Sequence, residues 1–175
     1  MTNTANGGSV VVGTSSEAEN LGVSFGHGNK VIGSNSGGGQ RGLALGNYLT
    51  VKGEEAVAVG TNASATADWA IAMGKNSKAE KETAMAFGYD SHAKVNHGVA
   101  LGAWSVADTA AGASGYDPST QAASTDTSAA WKSTLGAVSV GDKTEGYTRQ
   151  ITNVAAGATD TDAVNVAQLK KAVAG

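Results

Sequence analysis

The phrases Leu43-Ala44-Leu45-Gly46, Val57-Ala58-Val59-Gly60, Ile71-Ala72-Met73-Gly74, Met85-Ala86-Phe87-Gly88 and Val99-Ala100-Leu101-Gly102 follow one another every fourteen residues. A fixed period of this kind marks a solenoid, which presents a stacked surface more often than a chemical pocket. The phrase returns at irregular spacing as Val10-Val11-Val12-Gly13, Val23-Ser24-Phe25-Gly26 and Val138-Ser139-Val140-Gly141. Between Gly26 and Gly46 the step is longer, and Gly37-Gly38-Gly39 reads there as a loop pushed out of one coil. A larger segment is inserted between Gly102 and Gly141.

Within each phrase, large apolar residues one and three places before the glycine flank a small one. Alternation of that kind is a strand with one buried face. The residue four places before the glycine is always small: Ser9, Gly22, Gly42, Ala56, Ala70, Ala84, Gly98 and Ala137. After the glycine a second, weaker strand carries small residues at plus three and plus five, as in Ala63 and Ala65, Ser77 and Ala79, Ser91 and Ala93, Ser105 and Ala107. Two short strands and two turns make one flat coil, and coils stack at about 4.8 Å into parallel sheets. With the large residues taken as the inward set, Phe87 is the largest core side chain, flanked by Met73 and Leu101. Such a core is thin, and thin cores are marginal. The small residues Ala44, Ala58, Ala72, Ala86 and Ala100 are then expected to line an oligomer interface. The competing reading is a monomeric roll with a small-residue face toward solvent.

Composition narrows the function. The chain has 175 residues with 25 Gly, one Pro and no Cys, is 15% charged and 5% aromatic, and carries a net charge of −3. That mild acidity argues against nucleic acid as a partner. No apolar run approaches the ~18 residues of a membrane helix, and the start lacks a signal-peptide core. Absence of cysteine fits a cytosolic chain and equally a secreted one. The abrupt ends suggest a segment excised from a longer chain. No Gly-x-Ser-x-Gly elbow and no P-loop occurs. His27, His92 and His97 lack the companions of a metal site and read as solvated surface. No metal, cofactor or enzymatic activity is expected. Coils of fourteen differ from the sixes of acyltransferase solenoids, the repeat positions show no threonine ladder, and Gly-Gly-x-Gly-x-Asp calcium repeats are missing.

Past Gly102 the texture changes. Residues 108 to 130 are rich in Ala, Ser, Thr and Asp, Asp117-Pro118-Ser119 reads as a turn, and strand character returns at Val138. Val166, Leu169 and Val173 are spaced as an a/d seam, with Asp160, Thr161 and Asp162 as N-cap candidates just before it. A helix of about three turns is unstable alone, so it must continue or be held by partners. Outward residues of the perfect coils are the candidates for ligand binding: Trp69, Lys75, Asn76, Lys78, Tyr89, Asp90, His92, Lys94 and Trp104. Exposed aromatics among mixed charges suit recognition. The bland alternative has Trp69 and Trp104 capping subunit contacts.

The repeat resembles the Asn-Ser-Val-Ala-Ile-Gly-x-x-Ser head motif of the trimeric autotransporter adhesins, of the YadA-like kind. The run from Thr148-Arg149-Gln150-Ile151-Thr152-Asn153 through Asp162-Ala163-Val164-Asn165-Val166-Ala167-Gln168-Leu169 resembles that family's neck. The motif's Asn-Ser pair is here Arg41-Gly42, Glu55-Ala56, Trp69-Ala70, Thr83-Ala84 and His97-Gly98. The resemblance implies an all-β solenoid: a left-handed parallel β-roll head with 14-residue coils, three copies about one axis, then a neck and a parallel trimeric coiled coil. Residues 1–107 would be the head, 108–137 an insertion, 138–163 the last head strand and neck, and 164–175 the start of the stalk, with Val166, Leu169 and Val173 facing the threefold axis. The implied function is attachment to host matrix, cells or other bacteria, at the surface of a Gram-negative outer membrane, anchored by a C-terminal barrel outside this chain. Implied partners are two further copies of the chain and an extracellular matrix protein or host receptor. The alternative is a structural spacer without its own ligand site.

Overall fold

The computed structural model describes residues 2–32 and 41–174. The Gly37-Gly38-Gly39 loop expected from the sequence lies outside them. In chain order the roll begins with β1 (Thr4–Ala5), β2 (Val10–Thr14), β3 (Glu17–Ala18), β4 (Val23–His27), β5 (Lys30–Val31) and β6 (Leu43–Asn47). It continues through β7 (Thr50–Val51), β8 (Val57–Thr61), β9 (Ser64–Ala65), β10 (Ile71–Met73), β11 (Lys78–Ala79) and β12 (Met85–Phe87). β13 (His92–Ala93), β14 (Val99–Leu101) and β15 (Val106–Ala107) follow, then a hairpin of β16 (Tyr116–Asp117) and β17 (Ala122–Ala123), and finally β18 (Val138–Ser139) and α1 (Val166–Ala174).

Among the described residues, the odd-numbered strands β1 to β15 form one 8-stranded sheet, and the even-numbered β2 to β14 with β18 form the other. Every pairing in both is parallel and joins equivalent positions of successive coils, as in Ile71↔Met85 and Ala79↔Ala93. The fourteen-residue period is thus the length of one turn of a parallel β-solenoid. The irregular steps are absorbed without loss of register: Val23 pairs Leu43 across the long step, and Val99 pairs Val138 across the insertion.

The sides of the strands are the reverse of the sequence expectation. Ala44, Ala58, Ala72, Ala86 and Ala100, expected at a subunit interface, are all 0% exposed within the single chain. They are the core. The coils from Ala56 to Ala93 fill their interior with small side chains, for example Ala70, Ala72, Ser77 and Ala79. Two sheets held by turns of a few residues lie close together and leave little room for larger ones. Phe87 and its stack neighbours Met73 and Leu101 point outward instead, with Met73 45% and Leu101 48% exposed. The buried serines do not leave hydroxyls unpaired, because Ser77 Oγ and Ser91 Oγ donate to the Gly74 and Gly88 carbonyls, each at 2.9 Å.

Where a larger residue does enter the core, its neighbour shrinks. Val31 and Val51 occupy a position that is alanine in later coils, and glycine stands opposite at Gly22 and Gly42. A Cβ on Gly42 would lie 2.7 Å from Val51 Cγ1. Volume is conserved across the interior, as close packing demands. The glycine column has a different cause. Gly46 has φ +137°, and a Cβ there would overlap the Gly60 carbonyl of the next coil. Asn29 links coils from inside: its Nδ2 donates to the Phe25 and Gly46 carbonyls, while its Oδ1 accepts from Leu49 N–H at 3.0 Å.

The chain divides into two compact units, residues 1–111 with 135–148, and residues 112–134 with 149–175. In the second, β16 and β17 pair antiparallel around the Asp117-Pro118-Ser119-Thr120 turn. Ser119 donates to the Asp117 carboxylate from its hydroxyl and its amide, and these bonds hold that carboxyl below its usual pKa. Residues 149–165 form no regular strand or helix. The helix α1 starts later than the sequence suggests. Its N-cap is Asn165, not Asp160, Thr161 or Asp162: Asn165 Oδ1 accepts from Gln168 N–H at 3.0 Å, and Gln168 Oε1 accepts from Asn165 N–H at 3.2 Å. This is a reciprocal capping box. Asp162 closes the preceding turn instead, accepting from Ala158 and Thr159 amides, which lower its pKa. Among the described residues, no helix is long and apolar enough to cross a membrane.

Candidate functional site

Three surfaces follow from this fold. The first is the outer face of the even-numbered sheet. Alternation forces every residue flanking a buried alanine outward. The result is a continuous field of Val, Leu, Ile, Met and Phe running from Val10 to Val138, with Val12 51% and Val138 64% exposed. Contiguous apolar surface of this extent marks an interaction face.

The second surface is the edge where the chain leaves that sheet. Here each coil places one residue in the left-handed region: Tyr48, Asn62, Asn76, Asp90 and Trp104, with φ between 51° and 61°. Consecutive members lie one coil apart, bonded through the residue preceding each, as Trp104 N–H donates to the Tyr89 carbonyl and Asp90 N–H to that of Lys75. At this edge Tyr89 and Trp104 meet edge to face with centroids 5.6 Å apart, and Trp104 meets Tyr147 at 5.9 Å. Lys75 Nζ stands 5.9 Å from the centre of the Tyr89 ring, a cation–π arrangement. The neighbouring Asp90 carboxylate raises the pKa of the Tyr89 hydroxyl, as an acceptor and as a negative charge beside it. Asn62 Nδ2 donates to Asn76 Oδ1 at 3.3 Å.

Of the nine candidates, Lys75, Asn76, Tyr89, Asp90 and Trp104 are brought together on this edge. Lys78 and His92 are register neighbours in the odd-numbered sheet, where His92 Nε2 pairs with Glu80 at 2.7 Å, and Lys94 follows β13. Trp69 stands on the opposite turn, in the column of Arg41, Glu55, Thr83 and His97, 45% exposed. Tyr147 escapes sequence reasoning because it follows the last repeat glycine. A bridge between Asp142 and Tyr147, with amide–carbonyl bonds of 2.9 Å both ways, folds it back against Trp104. The turn residues Lys143-Thr144-Glu145-Gly146 between Asp142 and Tyr147 are the available signal. Among the described residues, no group of three His, Asp or Glu side chains could hold a metal ion.

The third surface lies within residues 149–175. An open groove of about 700 Å³ runs between residues 150–154 and 163–167, lined by Ile151, Val154, Val164 and Val166 among others. Asn165 Nδ2 reaches the Val154 carbonyl at 3.2 Å, and Gln168 clasps Gly157 through both backbone groups at 2.9 Å. No residue of α1 is buried, and Val166, Leu169 and Val173 are 67%, 58% and 76% exposed.

A parallel solenoid with an alanine core, built from stacked coils in register, belongs to the class of repeat proteins. Comparison with known proteins is specific. Residues 52–77 and 79–105 match two copies of the YadA head domain repeat, and residues 150–175 match the coiled stalk of trimeric autotransporter adhesin. The chain is 66% identical over 70 residues, 40% of its length, to the autotransporter adhesin BadA of Bartonella henselae. It is 56% identical over 68 residues, 38% of its length, to the trimeric autotransporter adhesin AtaA of Acinetobacter sp. strain Tol 5. Those segments are 2% of the length of either relative. The crystal structure of the collagen-binding domain of Yersinia adhesin YadA superposes with a TM-score of 0.60 at 27% identity, over 93% of this chain and 87% of that one. The chain carries the head repeats and the stalk of the trimeric autotransporter adhesins, and its roll is the fold of the YadA head.

Proposed function

We propose that this chain is the head and upper stalk of a homotrimeric bacterial surface adhesin. The observation that supports it most is the inside-out distribution of apolar residues: alanine within, and Val, Ile, Met and Phe exposed along one whole sheet. In a monomer that face would be solvated at a cost of about 25 cal/mol for each Å². Three copies meeting through it would bury the stripe, and Val166, Leu169 and Val173 would form the first layers of a parallel three-helix stalk. The groove beneath α1 would receive the corresponding segment of a neighbouring copy.

In this reading the chain attaches the cell to host matrix, host cells or other bacteria, projecting from an outer membrane through an anchor outside the chain, and it performs no catalysis. Light scattering coupled to size exclusion should give about three times the 17.2 kDa chain mass. Beads coated with the protein should adhere to cultured cells or to matrix-coated plates. A monodisperse monomer at micromolar concentration overturns the assembly, and a trimer whose beads adhere to nothing reduces the chain to a structural spacer.

A further inference from the structure

We infer that the edge formed by Lys75, Asn76, Tyr89, Asp90, Trp104 and Tyr147 is a saccharide-binding platform. This rests on the adhesin reading and names the ligand class for one of its surfaces. The first observation is backbone conformation. The left-handed position in this column suits Gly, Asn and Asp, and Asn62, Asn76 and Asp90 comply. Two bulky residues do not, Trp104 at φ +57° and Tyr48 at φ +56°; Tyr48 meets His27, whereas Trp104 is gathered with Tyr89 and Tyr147 into one aromatic cluster. The indole is not there to fill the core, since it is 50% exposed, with Tyr89 at 41% and Tyr147 at 47%.

The second observation is the chemistry around those rings. The carboxylate of Asp90 stands in the same column as Trp104 one coil away, about 4.8 Å, the scale of a sugar ring, and the amide of Asn76 one coil further. Lys75 adds an ammonium group beside Tyr89. A pyranose offers an apolar C–H face to stack on an aromatic ring and a rim of hydroxyls for amide, carboxylate and ammonium groups to bond. Other ligands match less well. Lys75 and Asp90 balance each other's charge, so a polyanion gains little. An extended peptide would need unpaired backbone to add a strand, yet the amides of Asn76, Asp90 and Trp104 already donate to the preceding coil.

The test uses the full chain on a glycan array of neutral host-type N-glycans. Titration of the best ligand follows, monitored by NMR at the tryptophan indole N–H resonances. The Trp104 indole signal should shift, and Trp104→Ala should weaken binding roughly tenfold or more, the effect of truncating an aromatic anchor. Tyr89→Ala should also weaken it. Tyr48→Ala, an aromatic in the same column further along the stack, should leave it unchanged. Should Trp104→Ala disturb folding, the Tyr89 and Tyr48 pair decides alone. No binding anywhere on the array, or equal binding by wild type and Tyr89→Ala, overturns the inference. Bead adhesion, measured alongside, separates the two readings: beads that adhere without glycan binding leave the adhesin intact and remove the saccharide site, whereas glycan binding without bead adhesion does the reverse.

Discussion

The roll and the segment from Arg149 onward handle the same problem in opposite ways. In the roll, backbone groups pair with the coils before and after, and small side chains seal a narrow interior. In residues 149–174, side chains do the pairing locally, through Asp162, Asn165 and Gln168, and nothing is buried in the helix. A repeat of fourteen residues builds stability by stacking, each coil serving as template for the next. A helix of 9 residues is short for independent stability, and among the described residues none of α1 is buried. The contrast teaches where the chain builds an interior by itself: the roll has one, while α1 buries no residue.

The sharpest way to break this contrast is at the glycine column. Gly46→Ala places a Cβ into the Gly60 carbonyl, so the roll must open. We expect a loss of about 4 kcal/mol or more in urea unfolding, or no soluble protein. Gly146→Ala is the control: φ is +74° but no atom lies within 4 Å, so only the conformational penalty of ~1–2 kcal/mol remains. Equal effects at the two sites would show that coils do not touch at the glycines.

Next in size is the outer face. Phe87→Ala should cost roughly 3 kcal/mol per chain if the face is covered, the lower end for a buried phenylalanine. The loss should grow on dilution, because it is a loss of assembly. A concentration-independent change under ~0.5 kcal/mol would mean that the outer face stays wet.

Inside the roll, volume exchange can be tested by a cycle. Gly42→Ala alone should destabilise by ~1–3 kcal/mol, because the new methyl meets Val51 Cγ1 at 2.7 Å. Adding Val51→Ala should recover part of that loss, with a coupling of at least ~0.5 kcal/mol. Strict additivity would mean the two residues are not opposed.

The smallest effects belong to residues 149–174. Asn165→Ala should lower the helicity of α1 and cost about 1 kcal/mol, the usual value of an N-cap. Asp162 supplies a pH probe. Its folded pKa is depressed by the Ala158 and Thr159 amides, so its contribution is present above the unfolded value of about 3.9 and is lost as pH falls through the folded one. Carboxyl-carbon NMR should show Asp162 titrating below that value, and Asp162→Asn should remove the pH dependence of the turn. An ordinary titration would mean the turn is not formed.

Much of this molecule is legible in its sequence. The period fixes coil length, and Gly46 to Gly102 announce the stack because a column of close backbone contacts admits no side chain. The return of the chain at Val138 is readable from Val138-Ser139-Val140-Gly141, and the helix from Val166, Leu169 and Val173. The gathering of Lys75, Asn76, Tyr89, Asp90 and Trp104 follows from register alone, since equivalent positions of successive coils must be neighbours. Tyr147 requires the hairpin at Asp142. The Asn165–Gln168 box is hidden behind Asp160 to Asp162 because asparagine and aspartate compete for the same cap.

Which side of each strand faces inward is decided by the tertiary structure. Alternation of Val, Ala, Met and Gly is identical whether the alanine or the methionine is buried. A hint is present in the second strand: Lys78 lies between Ser77 and Ala79, and His92 between Ser91 and Ala93. Burying the large residues of one strand leaves the small faces of the two strands unable to meet. The period, the stacking and the neighbours along each column are local consequences of the sequence. The sidedness depends on the gap between two sheets, and that gap is set only when short turns close the coil and leave an interior filled mainly by alanine and serine.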